Sequence, residues 1–358
     1  MKKRYSFFLF FAVSYLMVSS QIKYYDAAQF PLLGKITDST ETRYERLPTY
    51  LKEKSRTRLW SLGKNTSGLA VRFRSNSTTI SARWVVLEDV KMNHMTETGI
   101  KGLDLYSWEN NHWQFVNSGR PTGKLNEQKI IGYMPAKERE YLLFLPLYDG
   151  VTSLSIGVDS TSVIQAPKLP YPSSAHPIVV YGTSITQGGC ATRPGMSYTN
   201  ILTRKLNREF INLGFSGNGQ LDYEIAEIIA KRTDVALFIL DFIPNVNENQ
   251  IKEKTASFFH ILRKNNPNTP VIFVETILFP HAFYDKAMCA TINGKNNLLR
   301  REYEKLKKDG QKNIYYLSAD NLIGKDGEAT VDGIHLTDLG FLRFSEKLKQ
   351  SIEKIVPL

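Results

Sequence analysis

Cysteine is scarce in this chain. Only Cys190 and Cys289 occur among its 358 residues. Zinc-type metal sites use several Cys or His residues at short spacings, and no such grouping is present, so no metal and no cofactor are expected. Whether the two cysteines pair or stay as separate thiols is open at this level, because spacing does not supply the distance between them. No Gly-x-Ser-x-Gly elbow occurs, which argues against the α/β-hydrolase fold. No nucleic-acid-binding motif occurs either. Beyond the first twenty residues, no apolar run approaches the roughly 20 residues that a membrane span needs. The 46 basic residues outnumber the 35 acidic ones and give a net charge of +11. They are spread along the chain, as on a solvated basic surface, and no nucleic-acid partner is expected. The 42% hydrophobic and 23% charged fractions are ordinary for a globular protein and exclude disordered, collagenous and coiled-coil classes.

What is present begins at the N-terminus. Lys2, Lys3 and Arg4 precede the apolar stretch YSFFLFFAVSYLMV, and Ser19-Ser20 follows. A basic start, a short apolar core and small residues at a cleavage point are the layout of a secretory signal peptide. The expectation is a signal over residues 1–20, a periplasmic or secreted mature protein, and no stable membrane insertion after cleavage. The rival is a retained anchor. No Cys follows the apolar stretch to carry a lipid.

Residues 23–164 have the rhythm of a β-sandwich domain. In GLAVRFRS (68–75), Leu69, Val71 and Phe73 alternate with Arg72 and Arg74, and TISARWVV (79–86) alternates likewise. Period two means half-buried strands. GLDLYSWENNHWQFVNSG (102–119) predicts a hairpin turning near Asn110. EYLLFLPLYDGVTSLSIGVD (140–159) predicts strand, Asp-Gly turn, strand. A proline-rich stretch, 165–176, predicts a linker. From 177 to 358 the rhythm changes to strand alternating with helix. Strands are expected at 178–181, 210–213, 235–240, 271–276 and 314–317. Helices are expected near 197–208, 222–231, 247–265, 289–309 and 338–355. This pattern implies a parallel sheet covered on both faces, with ligands at the carboxyl ends of its strands.

Gly182-Thr183-Ser184 lies at the carboxyl end of the first of those strands. A serine becomes a nucleophile when a base takes its proton and a third group orients that base. Asp332 and His335 lie three residues apart, just before the last helix. A turn brings a carboxylate and an imidazole at that spacing onto one loop. Oxyanion donors come from glycine-rich INLGFSGNG (211–219) after the second strand and from Asn245 after the third. Taken singly, each signal also fits a turn, a cap or a surface histidine.

Taken together, Gly182-Thr183-Ser184-Ile185-Thr186, Gly217, Asn245 and Asp332-x-x-His335 resemble the SGNH (GDSL-like) hydrolase family in order and spacing. The resemblance implies a three-layer α/β/α, flavodoxin-like domain with a mostly parallel five-stranded sheet. It assigns Ser184, Asp332 and His335 as catalytic, and Ser184, Gly217 and Asn245 as the oxyanion hole. GLDLY (102–106) resembles the signature of a β-rich N-terminal domain that accompanies some bacterial members. Two departures stand out. Thr183 replaces the usual Asp before the nucleophile, and Asp241-Phe-Ile-Pro-Asn245 replaces the usual Gly-x-Asn-Asp block. Arg193 and His281 are further candidates for substrate contact, beside the readings of a surface or ion-paired arginine and a loop histidine. The four tryptophans all fall before residue 114, as core residues or as an aromatic platform for sugar. The expected activity is serine esterase chemistry, with acetylated carbohydrate as the leading substrate. A lipid, thioester or other small ester is the alternative, and a non-catalytic carbohydrate-binding protein stands behind both.

Overall fold

Alternation along each strand decides the N-terminal architecture. The computed structural model describes residues 21–170 and 176–356. The expected signal segment lies outside the described residues, as do 171–175 of the expected linker. The first region runs through β1 (Ile22–Asp26), β2 (Leu32–Leu33), α1 (Thr57–Gly63), β3 (Ala70–Ser75), β4 (Ile80–Val86), α2 (Glu97–Lys101), β5 (Leu103–Glu109), β6 (His112–Gly119), β7 (Leu125–Ile131), β8 (Arg139–Phe144), β9 (Val151–Asp159) and β10 (Ile164–Gln165). Its strands form two antiparallel sheets, β1-β9-β4-β7 and β10-β3-β8-β5-β6, with β2 on β3. Val71 and Phe73 of one sheet and Ala82, Trp84 and Val86 of the other meet in a single core, as two facing apolar stripes must.

Local turn chemistry is as the sequence predicts at the 102–119 hairpin. Glu109 pairs with His112, and Asn110 and Asn111 both take left-handed φ, 49° and 62°, the form that two-residue hairpins favour. Other expectations shift. The Asp149-Gly150 turn joins strands of different sheets, since β8 pairs with β3 and β5 while β9 pairs with β1 and β4. Arg72 does face away from the sandwich core, yet it is buried beneath Trp113, its guanidinium 5.5 Å from the ring centre. The start of the expected linker is tied down, with Lys168 and Leu169 amides donating to Glu140 Oε1.

The second region runs through β11 (Ile178–Gly182), α3 (Ser184–Gln187), α4 (Tyr198–Leu206), β12 (Phe210–Gly214), α5 (Tyr223–Lys231), β13 (Leu237–Asp241), α6 (Glu248–Asn265), β14 (Val271–Val274), α7 (Lys286–Lys308), β15 (Ile314–Leu317) and α8 (Asp338–Ile355). The five strands are parallel in the order β12-β11-β13-β14-β15. β11, β12, β13 and β14 are buried on both faces, and most of their residues are apolar, while the edge strand β15 leaves Tyr315 exposed. Val179, Tyr181, Phe238 and Leu240 point to one layer with α5, α6 and α7. Ile178, Val180, Leu237 and Ile239 point to the other with α4 and α8. This is the expected three-layer α/β/α sheet. Among the described residues, no helix is long and apolar enough to cross a membrane.

The two regions share a core. Ile36, Leu47, Leu51, Leu59 and Leu62 pack with Val179, Ile211 and Ile225 on the α5 side of the parallel sheet. Thus residues 36–63, which the all-β reading places in the sandwich, cover the other region instead. Their apolar spacing has no period two because they form short helical turns around Thr49–Lys52 and α1.

Candidate active site

Strand β11 ends where its neighbours leave no room. A Cβ on Gly182 would collide with Thr186 Oγ1 and the Asp241 carbonyl. The chain then turns directly into α3. Thr183 caps it, and Thr186 Oγ1 accepts from the Thr183 amide at 3.3 Å, completing a reciprocal box. Ser184 is therefore the first helical residue, where a backbone N–H has no partner within the helix. A buried carboxyl lies just below: Asp241 accepts from Thr186 Oγ1 at 3.0 Å, and Tyr198 Oη lies 3.0 Å from the same oxygen. Burial pushes Asp241 up to about 7, against the downward pull of those two hydroxyls.

The other half of the site is the loop before α8. Val331 N donates to His335 O at 2.8 Å and Thr337 N to Ala329 O at 2.9 Å, and Gly333 turns at φ +85°. Inside that loop Asp332 Oδ1 accepts from the His335 and Ile334 amides at 2.7 and 3.0 Å. Asp332 Oδ2 lies 2.7 Å from His335 Nδ1, and His335 Nε2 lies 2.9 Å from Ser184 Oγ. A serine, an imidazole and a carboxylate thus form one hydrogen-bonded chain across 151 residues of sequence. Burial acts upward on Asp332, but the imidazole and the two amides outweigh it and hold the carboxyl at about 2. The carboxylate is fixed as an acceptor, which sets Nδ1 as the protonated nitrogen and leaves Nε2 able to take the serine proton.

The expected oxyanion residues follow β12 and β13, the two strands that flank β11. Gly217 takes φ +68° with open space at its Cα, a conformation that favours glycine. Asn245 Oδ1 accepts from the Gly219 amide at 3.2 Å, which leaves Nδ2 to donate elsewhere. The Gly217 loop is held from below by Arg56, which bonds Asn218 and both carboxylate oxygens of Asp222. His281 stands against the Asp332–His335 loop, close enough that a Cβ on Gly333 would lie 2.8 Å from its Nδ1. Arg193 is ion-paired: it binds buried Asp104 at 2.6 Å and lies 4.0 Å above the Phe115 ring.

The structure adds residues that spacing did not reveal. Tyr148 Oη donates to the Ser184 carbonyl at 3.2 Å. The His94 ring lies 5.6 Å from that of His335. Cys190 is buried beside them, unpaired like Cys289, and burial pushes its thiol up to about 12, with the Asp332 charge adding to this. These residues come from loops with no periodic signal. Donor atoms of His94, Cys190, Asp332 and His335 lie within 4.8 Å of one another. That is a mixed N, S and O set of the kind divalent transition metals accept. An ion there would draw Asp332 and His335 away from Ser184.

Known proteins match on both regions. Residues 175–353 match the model of the GDSL-like lipase/acylhydrolase family. Residues 22–164 match the model of the N-terminal part of SGNH-hydrolase-type esterases, named GxDLY. A solved GDSL-like protein from Bacteroides ovatus is 38% identical, with a TM-score of 0.89, covering 94% of this chain and 98% of its own. A salicylyl-acyltransferase from a tetracycline biosynthetic pathway is 16% identical with a TM-score of 0.77, covering 93% and 97%. An acetyl xylan esterase of the rumen bacterium Butyrivibrio proteoclasticus is 12% identical with a TM-score of 0.59, covering 94% and 98%. The last two share the fold. No curated protein matches the chain in sequence.

Proposed function

Since the chain belongs to the GDSL-like lipase/acylhydrolase family and is a serine ester hydrolase, we propose that it removes O-acetyl groups from carbohydrates, with Ser184 as nucleophile, His335 as base and Asp332 as the orienting acid. The observation that carries the assignment is the continuous Ser184–His335–Asp332 chain, 2.9 and 2.7 Å long at its two links. Ser184 Oγ attacks the ester carbonyl as its proton passes to His335 Nε2. The Ser184 and Gly217 amides, with Asn245 Nδ2, receive the developing oxyanion. His335 then gives its proton to the leaving sugar hydroxyl, and water attacks the acyl-enzyme by the same route.

Three features support the acetyl-carbohydrate reading. A groove lined by amides and charged groups as well as aromatic rings lies beyond His281, which rests on Gly333 of the triad loop. No long apolar lid segment is present in the sequence. The basic-then-apolar start of the chain suits export to where polysaccharides are met. The test is a panel of acetylated polysaccharides beside p-nitrophenyl esters of increasing acyl length. Acetate release from the polysaccharides, with p-nitrophenyl acetate preferred among the small esters, is the expected result. A preference for long acyl chains would assign the site to lipid esters instead.

A further inference from the structure

At the carboxyl ends of β14 and β15 lies a groove of about 940 Å³. One wall is the segment after β14, from Ile277 to Lys286. A second is the exposed face of α7, where Asn293, Asn297 and Arg300 recur at helical spacing. The third is the loop after β15, including Asp320 and Asn321. Phe283 and Tyr284 stand at its edge, 72% and 83% exposed, their rings edge to face with centres 4.9 Å apart. Two adjacent aromatic side chains this exposed bury nothing that would account for them in the fold. The segment carrying them is itself anchored. Asn296 bonds both the amide and the carbonyl of Thr276, at 3.0 and 2.9 Å, and Glu275 holds Arg300, Tyr316 and the Ala319 amide.

The groove lies on the side of the triad loop that His281 covers. Glu275 and Ile277 in its wall also border a small cavity closed by Ile185 and Leu336, the residues next to Ser184 and His335. His281, between Pro280 and Ala282 of the groove wall, rests on Gly333 of the triad loop.

We propose that this groove is a glycan subsite, in which Phe283 and Tyr284 stack on pyranose rings of the polymer whose acetyl group lies at Ser184. The assignment rests on the carbohydrate reading above. A pyranose ring presents an apolar C–H face and a rim of hydroxyls. It needs an aromatic surface and, around it, planar donors and acceptors, here supplied by Asn293, Asn297, Asp320 and Asn321. An acyl chain is the poorer occupant, because it would strip water from those polar groups without replacing their hydrogen bonds. Charges of both signs line the walls and Arg300 is paired with Glu275, so a neutral chain fits better than an anionic one.

The test compares the Phe283→Ala/Tyr284→Ala double variant with the parent. Both residues are exposed, so folding is little affected. The ratio of kcat/KM on acetylated xylan to kcat/KM on p-nitrophenyl acetate should fall about tenfold, mainly through KM. An unchanged ratio would overturn the proposal. A second measurement separates this from failure of the carbohydrate reading. Binding of xylohexaose, cellohexaose and chitohexaose to Ser184→Ala protein is followed by calorimetry, with and without the two groove substitutions. Binding that weakens with the substitutions supports the subsite even if no polysaccharide is deacetylated. No binding of any of the three, or displacement by octanoate in preference to sugar, overturns it.

Discussion

The antiparallel region and the parallel sheet divide the work unequally. Every residue in the proposed reaction, from Ser184 to His335, lies past the carboxyl end of a parallel strand, on a loop or in the first turn of a helix. The antiparallel region supplies groups that hold those loops. Arg46 is buried and donates to the Asn212 and Gly214 carbonyls at the end of β12. Arg56 holds Asn218 and Asp222. Ser67 Oγ donates to Gln187 O at 2.6 Å. Asp104, fully buried, binds Arg193, the Gly195 amide and Ser118. The Leu103, Asp104, Leu105, Tyr106 run of the GLDLY motif shows how one strand does both jobs. Leu103 and Leu105 face the sandwich core, while Asp104 and Tyr106 face the other way and grip Arg193. One region thus carries reactivity and the other carries geometry.

The sharpest way to separate them is to remove chemistry while sparing geometry. Ser184→Ala should lower kcat/KM on p-nitrophenyl acetate by roughly 10⁴-fold or more. Asp332→Asn should cost on the order of 10⁴-fold, since an amide no longer fixes the tautomer of His335. Both variants should keep their far-UV circular dichroism and melt within a few degrees of the parent. Retained turnover in Ser184→Ala would remove Ser184 from the mechanism.

The converse test removes geometry. Asp104→Ala leaves Arg193 without its carboxylate in a mostly dry setting. A broken buried pair costs about 3–5 kcal/mol. Arg193 is 23% exposed, so about 2–3 kcal/mol in urea unfolding is the expected loss here. The activity that remains should fall far less than in the triad variants. If Asp104→Ala matched Ser184→Ala in kcat/KM with unchanged stability, the division between the regions would fail.

How much of this was legible in the sequence follows the same division. The inner parallel strands are buried on both faces, so Ile178–Tyr181 and Val271–Val274 announce themselves as apolar runs. Asp332 and His335 sit on one local loop, so their three-residue spacing makes them candidates, and it takes the resemblance to the hydrolase family to give them roles. Strand order puts Ser184, Gly217 and Asn245 after successive parallel strands, and the resemblance supplies their roles. The segment 36–63 was misread because the partners of Leu47, Leu51 and Leu59 lie more than a hundred residues away, and no local period reports them. Tyr148 and His94 lie on loops without a period, and their partners, Ser184 and His335, are not local either. Arg193, nine positions after Ser184, admits a pocket reading and an ion-paired reading from sequence, and its partner Asp104 comes from the other region. Asn245 keeps its place after β13 despite the altered block, with Oδ1 tied to Gly219.

Titration offers a further separation. Asp332 is held at about 2, below the ordinary carboxylate range near 3.9. A carboxyl depressed by folding contributes stability above its unfolded pKa and loses it as pH falls through the folded value. The stabilisation should therefore be complete above about pH 4 and disappear toward pH 2. In thermal melts over that window, the parent should lose Tm more steeply than Asp332→Asn. Parallel curves would mean that the loop amides and His335 contribute nothing through the carboxylate charge.

Tyr148 is the smallest lever and the most discriminating, because it stands where the two regions meet. It belongs to the antiparallel region by chain position, yet its hydroxyl donates to the Ser184 carbonyl at 3.2 Å, and burial holds the phenol in its neutral, donating form. Tyr148→Phe removes one neutral hydrogen bond, about 1 kcal/mol, and keeps the ring in place. The carbonyl it leaves also accepts from the Gly188 and Gly189 amides at 3.0 and 2.8 Å, so no acceptor is stranded. Tm should fall by about 2 °C, and kcat should fall by less than about fivefold with KM unchanged, the result for a group that only steadies the nucleophile's backbone. A loss of a hundredfold or more in kcat would instead move Tyr148, and with it part of the antiparallel region, from geometry to reactivity.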